Sequence, residues 1–413
     1  MKKRIISIII ILCIFISIIT IYSLYISDKV IKIIEKQEAN IEEYTIYGTH
    51  LNIKGNINLN TDIKNISIVL KNNKEEINYK LNYEQNDNKT TFYLSQYINE
   101  GINLENLKCK NYYVLLKIND KYYSLNNNTE YNNSEYYAIK ENKKTTITSS
   151  KVNNINVFKI KTTKSKKDNN IYDIVIDAGH GGNDTGAIYG SDTEAFYTLE
   201  YAISLKENLE NLGYKVKLTR DENKYLSPYG ENGRAIIPQD VKAKYLISFH
   251  LNSLSIKGNI HGVEVYAPYN TNLEFASTIA KNIVEKANTA YSNNTHYKVQ
   301  DGVYVRTLTL NDVNNAKESA KEKGYELSRI STNTNYLFII RETGGIMTGA
   351  YVTSNISTYG NNPYYNSNIG VESYLIELGY IIDNTDLNNI KTNKDKYIDA
   401  IAKSIDEEIK KAY

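Results

Sequence analysis

The chain has 413 residues, of which 41% are hydrophobic, and its formal net charge is only +2. This length allows two or three domains with sizeable hydrophobic cores. The near balance of charge argues against nucleic acid as the main partner, because phosphate binding normally requires a concentrated basic face.

The N-terminus predicts a membrane anchor. An uncharged, isoleucine-rich run of 22 residues, Ile5–Ile26, follows the basic stretch Lys2–Arg4. At about 1.5 Å per helical residue this run is long enough to cross a bilayer, and its basic end is expected to stay inside. A cleaved signal peptide is the alternative, but the run is long for one and no small-residue cleavage site follows it. We therefore predict a cytoplasmic tip and transmembrane helix at residues 1–27, with the rest of the chain extracytoplasmic.

The next two segments differ in periodicity. Residues 28–42 carry apolar side chains at helical spacing, which predicts a short helical stalk. Residues 43–162 contain short alternating runs such as ISIVL, TTFYL and YYVLLKI, separated by Asn, Asp, Lys and Gly clusters. That pattern predicts an all-β, Ig-like domain, although it has no Cys-Trp-Cys framework. Cys109 is expected to be a buried core thiol without a disulfide, because the other cysteine, Cys13, lies inside the anchor.

Beyond a polar stretch at residues 161–170, strand and helix patterns alternate to the end of the chain. Strand patterns include YDIVIDA, YKVKLTR, YLISFH and VEVYAP. The helix patterns cover residues 195–212, 273–287 and 397–409. The alternation predicts a three-layer α/β domain with a central, mostly parallel or mixed sheet at residues 163–413.

Chemically reactive side chains follow the ends of these predicted strands. His180 lies in the glycine-rich stretch after the first strand, His250 ends YLISFH, and Glu377 lies near the end of YLIEL; Glu194 precedes the first helix. Two imidazoles and a carboxylate suit a catalytic zinc ion with a fourth position open for water. A phosphate-binding turn is the alternative reading of the glycines, but the Lys-Ser/Thr pair of such a loop is missing.

These motifs resemble, in the same order, the zinc-dependent N-acetylmuramoyl-L-alanine amidases of the type 3 family, from about Tyr172 to the C-terminus. The segments that carry the resemblance are IDAGHGGNDTGA, Glu194, LTR at residues 218–220, Arg234, ISFHLNS at residues 247–253 and YLIELGYIIDN at residues 374–384. The resemblance implies Zn²⁺ held by His180, Glu194 and His250, with Glu377 as the general base. The chain departs from the family after Glu194, where AFYTL lacks the expected basic residue, so Asp192 is the alternative ligand.

The same resemblance implies a peptidoglycan hydrolase that cleaves the amide bond between N-acetylmuramoyl and L-alanine. Peptidoglycan is then the substrate, the membrane is contacted through the N-terminal helix, and the catalytic domain lies on the cell-wall side. The β domain would be a spacer or a wall-binding module, and protein partners are left unknown by the sequence. Two alternatives remain open: a zinc peptidase or amidase acting on another wall amide, and a non-catalytic, wall-binding or regulatory pseudoenzyme.

Other residues near these motifs receive supporting roles. Asn252 is expected to orient the site, and Arg220 and Arg234 to fix loops or bind acidic peptide groups. His261 and His296 are expected not to be ligands, and the alternative role of Glu377 is a salt bridge with Arg341. Two insertions follow in the same domain. Residues 307–335 predict an exposed helix, and residues 342–370 predict a loop or lid beside the site, with Tyr351, Tyr359, Tyr364 and Tyr365 as candidate substrate contacts.

Overall fold

The computed structural model describes residues 13–14, 17, 29–228, 230, 232–254, 259–322, 324, 326–327, 330–343, 364 and 367–411. Most of the predicted anchor, Ile5–Ile26, therefore lies outside the described residues. Within the described part of the chain, no helix is both long and apolar enough to cross a membrane.

Residues from Ile34 to Lys164 form a β domain. Its strands are β1 (Ile34–Tyr47), β2 (His50–Asn58), β3 (Ile66–Lys71), β4 (Glu76–Lys80), β5 (Asn82–Asn86), β6 (Lys89–Tyr93), β7 (Ile102–Asn103), β8 (Asn111–Ile118), β9 (Lys121–Asn127), β10 (Asn133–Tyr137), β11 (Lys143–Val152) and β12 (Ile155–Lys164), with a 3₁₀ turn at Leu104–Asn106. The main strand order is β10-β11-β12-β8-β9-β1-β2-β6-β5. Alternate residues such as Ile53, Phe92 and Val114 are buried in its core, as the period of two in a strand requires.

The Ig-like arrangement predicted for residues 43–162 is not confirmed. Hydrogen bonds join the strands into one branched sheet, and β1 pairs with β9 in parallel, whereas an Ig-like domain has two separate antiparallel sheets. The prediction of a helical stalk at residues 28–42 is wrong as well. Only residues 29–31 are helical, and strand β1 begins at Ile34 because its pairing with β2 and β9 buries the alternate side chains Ala39 and Ile41.

The predicted burial of Cys109 is also wrong. Its side chain is exposed, in a loop between Lys108 and Lys110 that follows the 3₁₀ turn. The apolar side chain that this segment buries is Leu107.

The second domain alternates strands and helices, as its sequence predicts. Its elements are β13 (Ile174–Ala178), β14 (Ile188–Tyr189), β15 (Asp192–Thr193), α1 (Glu194–Asn211), β16 (Val216–Leu218), α2 (Ile237–Asp240), β17 (Tyr245–Asn252), β18 (Glu264–Tyr266), α3 (Glu274–Ala287), β19 (Lys298–Gln300), β20 (Val303–Tyr304), α4 (Leu310–Glu322), α5 (Phe338–Thr343), β21 (Ile369–Gly370), β22 (Glu372–Tyr380), α6 (Asn384–Thr392) and α7 (Lys394–Lys410).

The central sheet has the strand order β16-β13-β17-β22-β18-β20-β19. The first four strands are parallel, and β18 runs antiparallel to β22. One face, with Ile176 and Phe249, packs on α1, α3 and α7, whereas Val175 and Leu246 on the other face pack with Ile339 of α5. The prediction of an α/β domain with a central, mixed sheet is therefore confirmed. Because β13, β17 and β22 are parallel, their carboxyl ends meet at one edge of the sheet.

The two domains are joined at the opposite edge of the central sheet. Strand β21 pairs in parallel with the end of β1, and the amide of Ile46 donates to the carbonyl oxygen of Asn368 at 2.8 Å. The side chain of Asn99 accepts a hydrogen bond from the amide of Asn272 at 2.7 Å and donates one to Glu372 at 3.0 Å. The β domain is thus hydrogen-bonded to the start of β22.

Glu372 should make the stability of this junction depend on pH. Its side chain is buried, and burial raises the pKa of the carboxyl from 4.5 to about 7 despite hydrogen bonds from Tyr374 and Asn99. A carboxyl with a raised folded pKa stabilises the fold fully below its unfolded pKa, and this contribution is lost as the pH rises through the folded pKa. Glutamine does not titrate, so we expect the free energy of unfolding of Glu372→Gln, minus that of wild type, to rise by about 3 kcal/mol between pH 4 and pH 8.

Chemical denaturation of both proteins at the two pH values measures this change. The variant Glu285→Gln is a matched control, because Glu285 lies on the same domain but is 61% exposed, and its difference from wild type should stay constant. A pH-independent difference for Glu372→Gln would contradict the assignment.

Candidate metal centre

His180 follows β13 in a turn with an unusual backbone. Its φ is +59°, and Gly181 and Gly182 have φ of +128° and +61°. Non-glycine residues seldom adopt this left-handed region and keep it only where the surroundings fix it. A Cβ on Gly181 would lie 2.3 Å from the carbonyl oxygen of Lys224, and one on Gly182 would lie 2.4 Å from the amide nitrogen of Tyr225. Glycine is therefore required at both positions.

Two buried arginines hold this turn in place. Arg234 donates to the carboxylate of Asp177 at 2.9 Å and to the carbonyl oxygen of His180 at 2.9 Å. Arg220 donates to the carbonyl oxygen of Gly179 at 2.9 Å. Their exposed fractions are 4% and 1%, so these contacts fit the role of fixing loops and leave neither guanidinium open to substrate.

The structure brings the three predicted ligands together at the carboxyl edge of the sheet. Oε1 of Glu194, the first residue of α1, lies 2.9 Å from Nδ1 of His250 and 3.1 Å from Nε2 of His180. One donor atom of each residue lies within 4.8 Å of the others, which is a grouping that could hold a metal ion. Asp192, the alternative ligand, pairs with Lys391 at 2.7 Å instead.

Further hydrogen bonds orient these three side chains. Both carboxylate oxygens of Asp184 lie 2.9 Å from Nδ1 of His180, so Asp184 can hold the ring proton on Nδ1 when Nε2 binds a metal ion. Glu194 accepts hydrogen bonds from the amides of Leu251 and Ala187, both at 2.9 Å. Asp184 was not predicted from the sequence, although a carboxylate four positions after a candidate ligand histidine was an available signal.

The electrostatics of the cluster favour a cation. Although burial disfavours its charged form, hydrogen bonds with Glu194 and Asp184 raise the pKa of His180. Burial also opposes ionisation of Glu194, but hydrogen bonds with His180 and His250 hold the pKa of its carboxyl well below the usual range. Glu194 is therefore an anion at neutral pH, and a divalent metal ion can take the place of the protons that the histidines otherwise share with it.

Glu377 lies next to His250 in register on the neighbouring strands β22 and β17. Its Oε2 is buried and has no hydrogen-bond partner among the described residues. Burial raises the pKa of Glu377 well above its usual value, and the charges of Glu194 and Glu264 raise it further. Arg341, the alternative partner, pairs with Glu342 at 2.6 Å.

The buried carboxylate of Glu264 lies directly opposite Glu377 on β18. Its donors are Tyr380 and Ser292 at 2.7 Å, Tyr266 at 2.8 Å and Asn294 at 3.2 Å. These four groups satisfy the side-chain oxygens of Glu264. VEVYAP was predicted only as a strand, although a glutamate between two valines was a signal for a buried polar group.

Asn252 follows His250 by two positions and therefore points to the same side of β17. Its Nδ2 is buried and has no hydrogen-bond partner within the described part of the chain, so its role in orienting the site stays a prediction. His261 and His296 are not members of the cluster.

Residues 174–327 match a family model described as N-acetylmuramoyl-L-alanine amidase. The chain carries a domain of this amidase family. It is similar to "Probable cell wall amidase LytH" of Staphylococcus epidermidis strain ATCC 12228, with 34% identity over 117 residues, which is 28% of this chain and 37% of the relative. The protein of the same name from Staphylococcus aureus is 34% identical over 116 residues, covering 27% of this chain and 37% of the relative. The chain thus spans less than half the length of these relatives.

A solved structure, "The crystal structure of N-acetylmuramoyl-L-alanine amidase from Clostridium difficile 630", aligns with 57% of this chain and 95% of its own, at 20% identity and a TM-score of 0.38. Three of the four predicted site residues, His180, Glu194 and His250, lie inside the matched segment 174–327. Glu377 lies beyond that segment and is brought to the cluster by the pairing of β22 with β17.

The structure describes the two predicted insertions of the amidase domain to different extents. The first forms the helix α4, Leu310–Glu322, as expected. The two ends of the second insertion, residues 342–370, lie close together beside the start of β22. There the amide of Val371 donates to the carbonyl oxygen of Thr343 at 2.9 Å. Tyr364 donates to Asp240 of α2. The rest of the predicted lid, with Tyr351, Tyr359 and Tyr365, lies outside the described residues.

Proposed function

We propose that the amidase domain hydrolyses the amide bond between N-acetylmuramoyl and L-alanine in peptidoglycan, with zinc as its metal. One observation carries the proposal: His180, Glu194 and His250 converge beside the unpartnered carboxylate oxygen of Glu377. The substrate class is supported by the family match and by the relatives named as cell wall amidases.

Zinc fits the residues that are present. Two imidazole nitrogens and one carboxylate oxygen are a common donor set of catalytic zinc sites, which keep a fourth position open. Asp184 at Nδ1 of His180 is the carboxylate partner that metal-bound histidines usually have. When bound, zinc would supply a Lewis acid that polarises the substrate carbonyl and increases the acidity of water.

Glu377 would move the protons of the reaction. Its free Oε2 accepts a proton from the attacking water while the water oxygen bonds to the carbonyl carbon. As the carbon–nitrogen bond breaks, Glu377 returns the proton to the departing nitrogen of L-alanine. The products are a lactyl carboxylate and a free amine. A raised carboxyl pKa favours this exchange, because a general acid and base works best near the operating pH.

Mass spectrometry of purified peptidoglycan digested by the full chain tests the proposed bond. We expect stem peptides with a free L-alanine amino group and glycan strands whose N-acetylmuramoyl carboxyls are free. Peptides cut at an internal amide would instead indicate a peptidase, and an undigested polymer in the presence of zinc would indicate a non-catalytic role.

We also propose that the chain is anchored in the cell membrane with the amidase domain on the cell-wall side. The support is the isoleucine-rich run Ile5–Ile26 behind the basic stretch Lys2–Arg4. Protease added to intact protoplasts should remove the amidase domain from membranes. Protection of that domain until the cells are lysed would contradict this orientation.

A further inference from the structure

A polar groove lies on the outer face of strands β1, β2, β6 and β5. Tyr44, Ile53 and Phe92 of these strands face the core, so their neighbours in sequence face the groove. The cavity has a volume of about 380 Å³, and its wall is completed by Gln96 from the loop after β6 and by Asn270 from the amidase domain. Both domains therefore contribute to it.

The floor of this groove carries an aromatic ring beside two opposite charges. Strand register places Glu43 opposite Lys54, and Lys54 opposite Tyr93, in one row across β1, β2 and β6. Glu84 of β5 also lines the cavity. The side-chain polar groups of Glu43, Lys54 and Tyr93 have no hydrogen-bond or salt-bridge partner among the described residues, so they are free to bind a ligand.

The rim of the groove is held by hydrogen bonds of two asparagines. The side chain of Asn52 donates to the carbonyl oxygens of Ser95 at 2.9 Å and Tyr97 at 3.0 Å. The carbonyl oxygen of Asn270 accepts from the amide of Ile98 at 3.0 Å, which fixes the amidase domain to the same loop. Oδ1 of Asn270 is buried without a hydrogen-bond partner in the described part of the chain. A ligand amide that donates to this oxygen would remove the free-energy cost of leaving it unpaired.

The charges and side chains of the groove indicate which class of ligand it can bind. A phosphate group would need clustered arginines or lysines, but here the single ammonium of Lys54 is outnumbered by the carboxylates of Glu43 and Glu84. An apolar ligand would need an apolar lining. A ring with hydroxyl and acetamide groups matches mixed donors and acceptors around one aromatic face. The four strands span about 14 Å, which leaves room for a short oligosaccharide.

We propose that this groove binds a neutral chain of N-acetylated hexosamines, which is the glycan part of peptidoglycan. This proposal rests on the proposed function. The groove lies far from the metal cluster. Asn99, which follows the groove residue Ile98, donates to Glu372 at the start of β22, and five residues of extended strand, about 17 Å, separate Glu372 from Glu377. The groove would hold the polymer at a distance from the bond that is cut, and would raise affinity for long strands without taking part in the chemistry.

Calorimetry with the full chain and N,N′,N″-triacetylchitotriose tests this site. This trisaccharide has the acetamide and hydroxyl groups but no lactyl amide, so the amidase reaction cannot consume it. We expect binding by wild type and by Glu377→Gln alike, and an affinity at least about tenfold lower for Tyr93→Ala, which loses the aromatic face. Gln96→Ala, at an exposed loop position, should weaken binding without affecting the fold.

Tyr83→Ala is the matched control. Tyr83 lies on the neighbouring strand β5, opposite Phe92 and therefore on the other face of the sheet, and it is 42% exposed. This variant should bind the trisaccharide as wild type does. Absence of binding by wild type, or unchanged binding by Tyr93→Ala and Gln96→Ala, would contradict the proposal that this groove binds the glycan. Because these readouts do not require turnover, failure of the amidase assay would be a separate result.

A second readout separates the groove from the metal site. Tyr93→Ala should hydrolyse a small, soluble N-acetylmuramoyl-peptide at the wild-type rate but require more intact peptidoglycan to reach half-maximal rate. An equal loss on both substrates would place the effect of Tyr93 on the fold or the active site and contradict the proposed groove.

Discussion

Glu377→Gln is expected to fold and to retain its metal, yet to lose roughly 10²-fold to 10⁴-fold in kcat on peptidoglycan. Glutamine has nearly the same shape as glutamate, but its amide cannot accept and return a proton. Stability should not fall, because burial and the charges of Glu194 and Glu264 disfavour the ionised carboxylate that the substitution removes. Steady-state kinetics, zinc content and thermal unfolding of the same preparation measure these three quantities.

Glu372→Gln is the matched control for that experiment. It makes the same substitution on the same strand, β22, at a buried position five residues earlier. We expect it to leave kcat unchanged, since Glu372 lies at the domain junction. A wild-type rate for Glu377→Gln would exclude Glu377 as the proton carrier, and an equal loss in both variants would indicate a general effect on the strand.

His180→Ala and His250→Ala are each expected to reduce zinc from one ion per chain to an undetectable amount. An open site with three protein ligands has no spare ligand to replace one that is lost. Loss of zinc should abolish turnover with it. Metal analysis by mass spectrometry after dialysis against a fixed free zinc concentration, together with a peptidoglycan assay, measures both effects.

His261→Ala is the control for these variants, because it removes a histidine of the same domain that is not part of the cluster. It should retain one zinc and normal turnover. Asp184→Asn should lower zinc affinity by about 10-fold to 100-fold, since it weakens the hydrogen bond that orients His180. Equal zinc content in wild type, His180→Ala and His250→Ala would refute the metal centre.

The sequence was sufficient to predict the convergence of His180, His250 and Glu377. His180 follows β13 and His250 lies near the end of β17, whereas Glu377 lies three residues before the end of β22, opposite His250. Each comes after a clear apolar run, and parallel strands bring such segments to one edge of the sheet. Glu194 was predictable from the family resemblance, and the helix expected at residues 195–212 begins one residue earlier, at Glu194 itself. These predictions depend on local patterns and one simple rule of sheet topology.

The failures have a different physical origin. The stalk was predicted from helical spacing in residues 28–42, but those residues gain more from pairing with β2 and β9 than from a local helix. Glu264 and the orienting carboxylate of Asp184 act through neighbours on other strands and turns, which no local period reveals. The single branched sheet likewise depends on strand pairings between distant segments.

The pairing of β21 with β1 has a consequence for biosynthesis. The hydrogen bond between Asn368 and Tyr44 spans 324 positions, so a ribosome adding about 5–20 residues per second completes this edge roughly 16–65 s after β1 has emerged. Until then the nascent chain presents the backbone of Ile46 and Tyr47 as an open strand edge, which invites pairing with other chains. Chaperone capture should therefore be concentrated in this interval of translation, and a β domain expressed without residues 367–370 should aggregate more readily than the full chain.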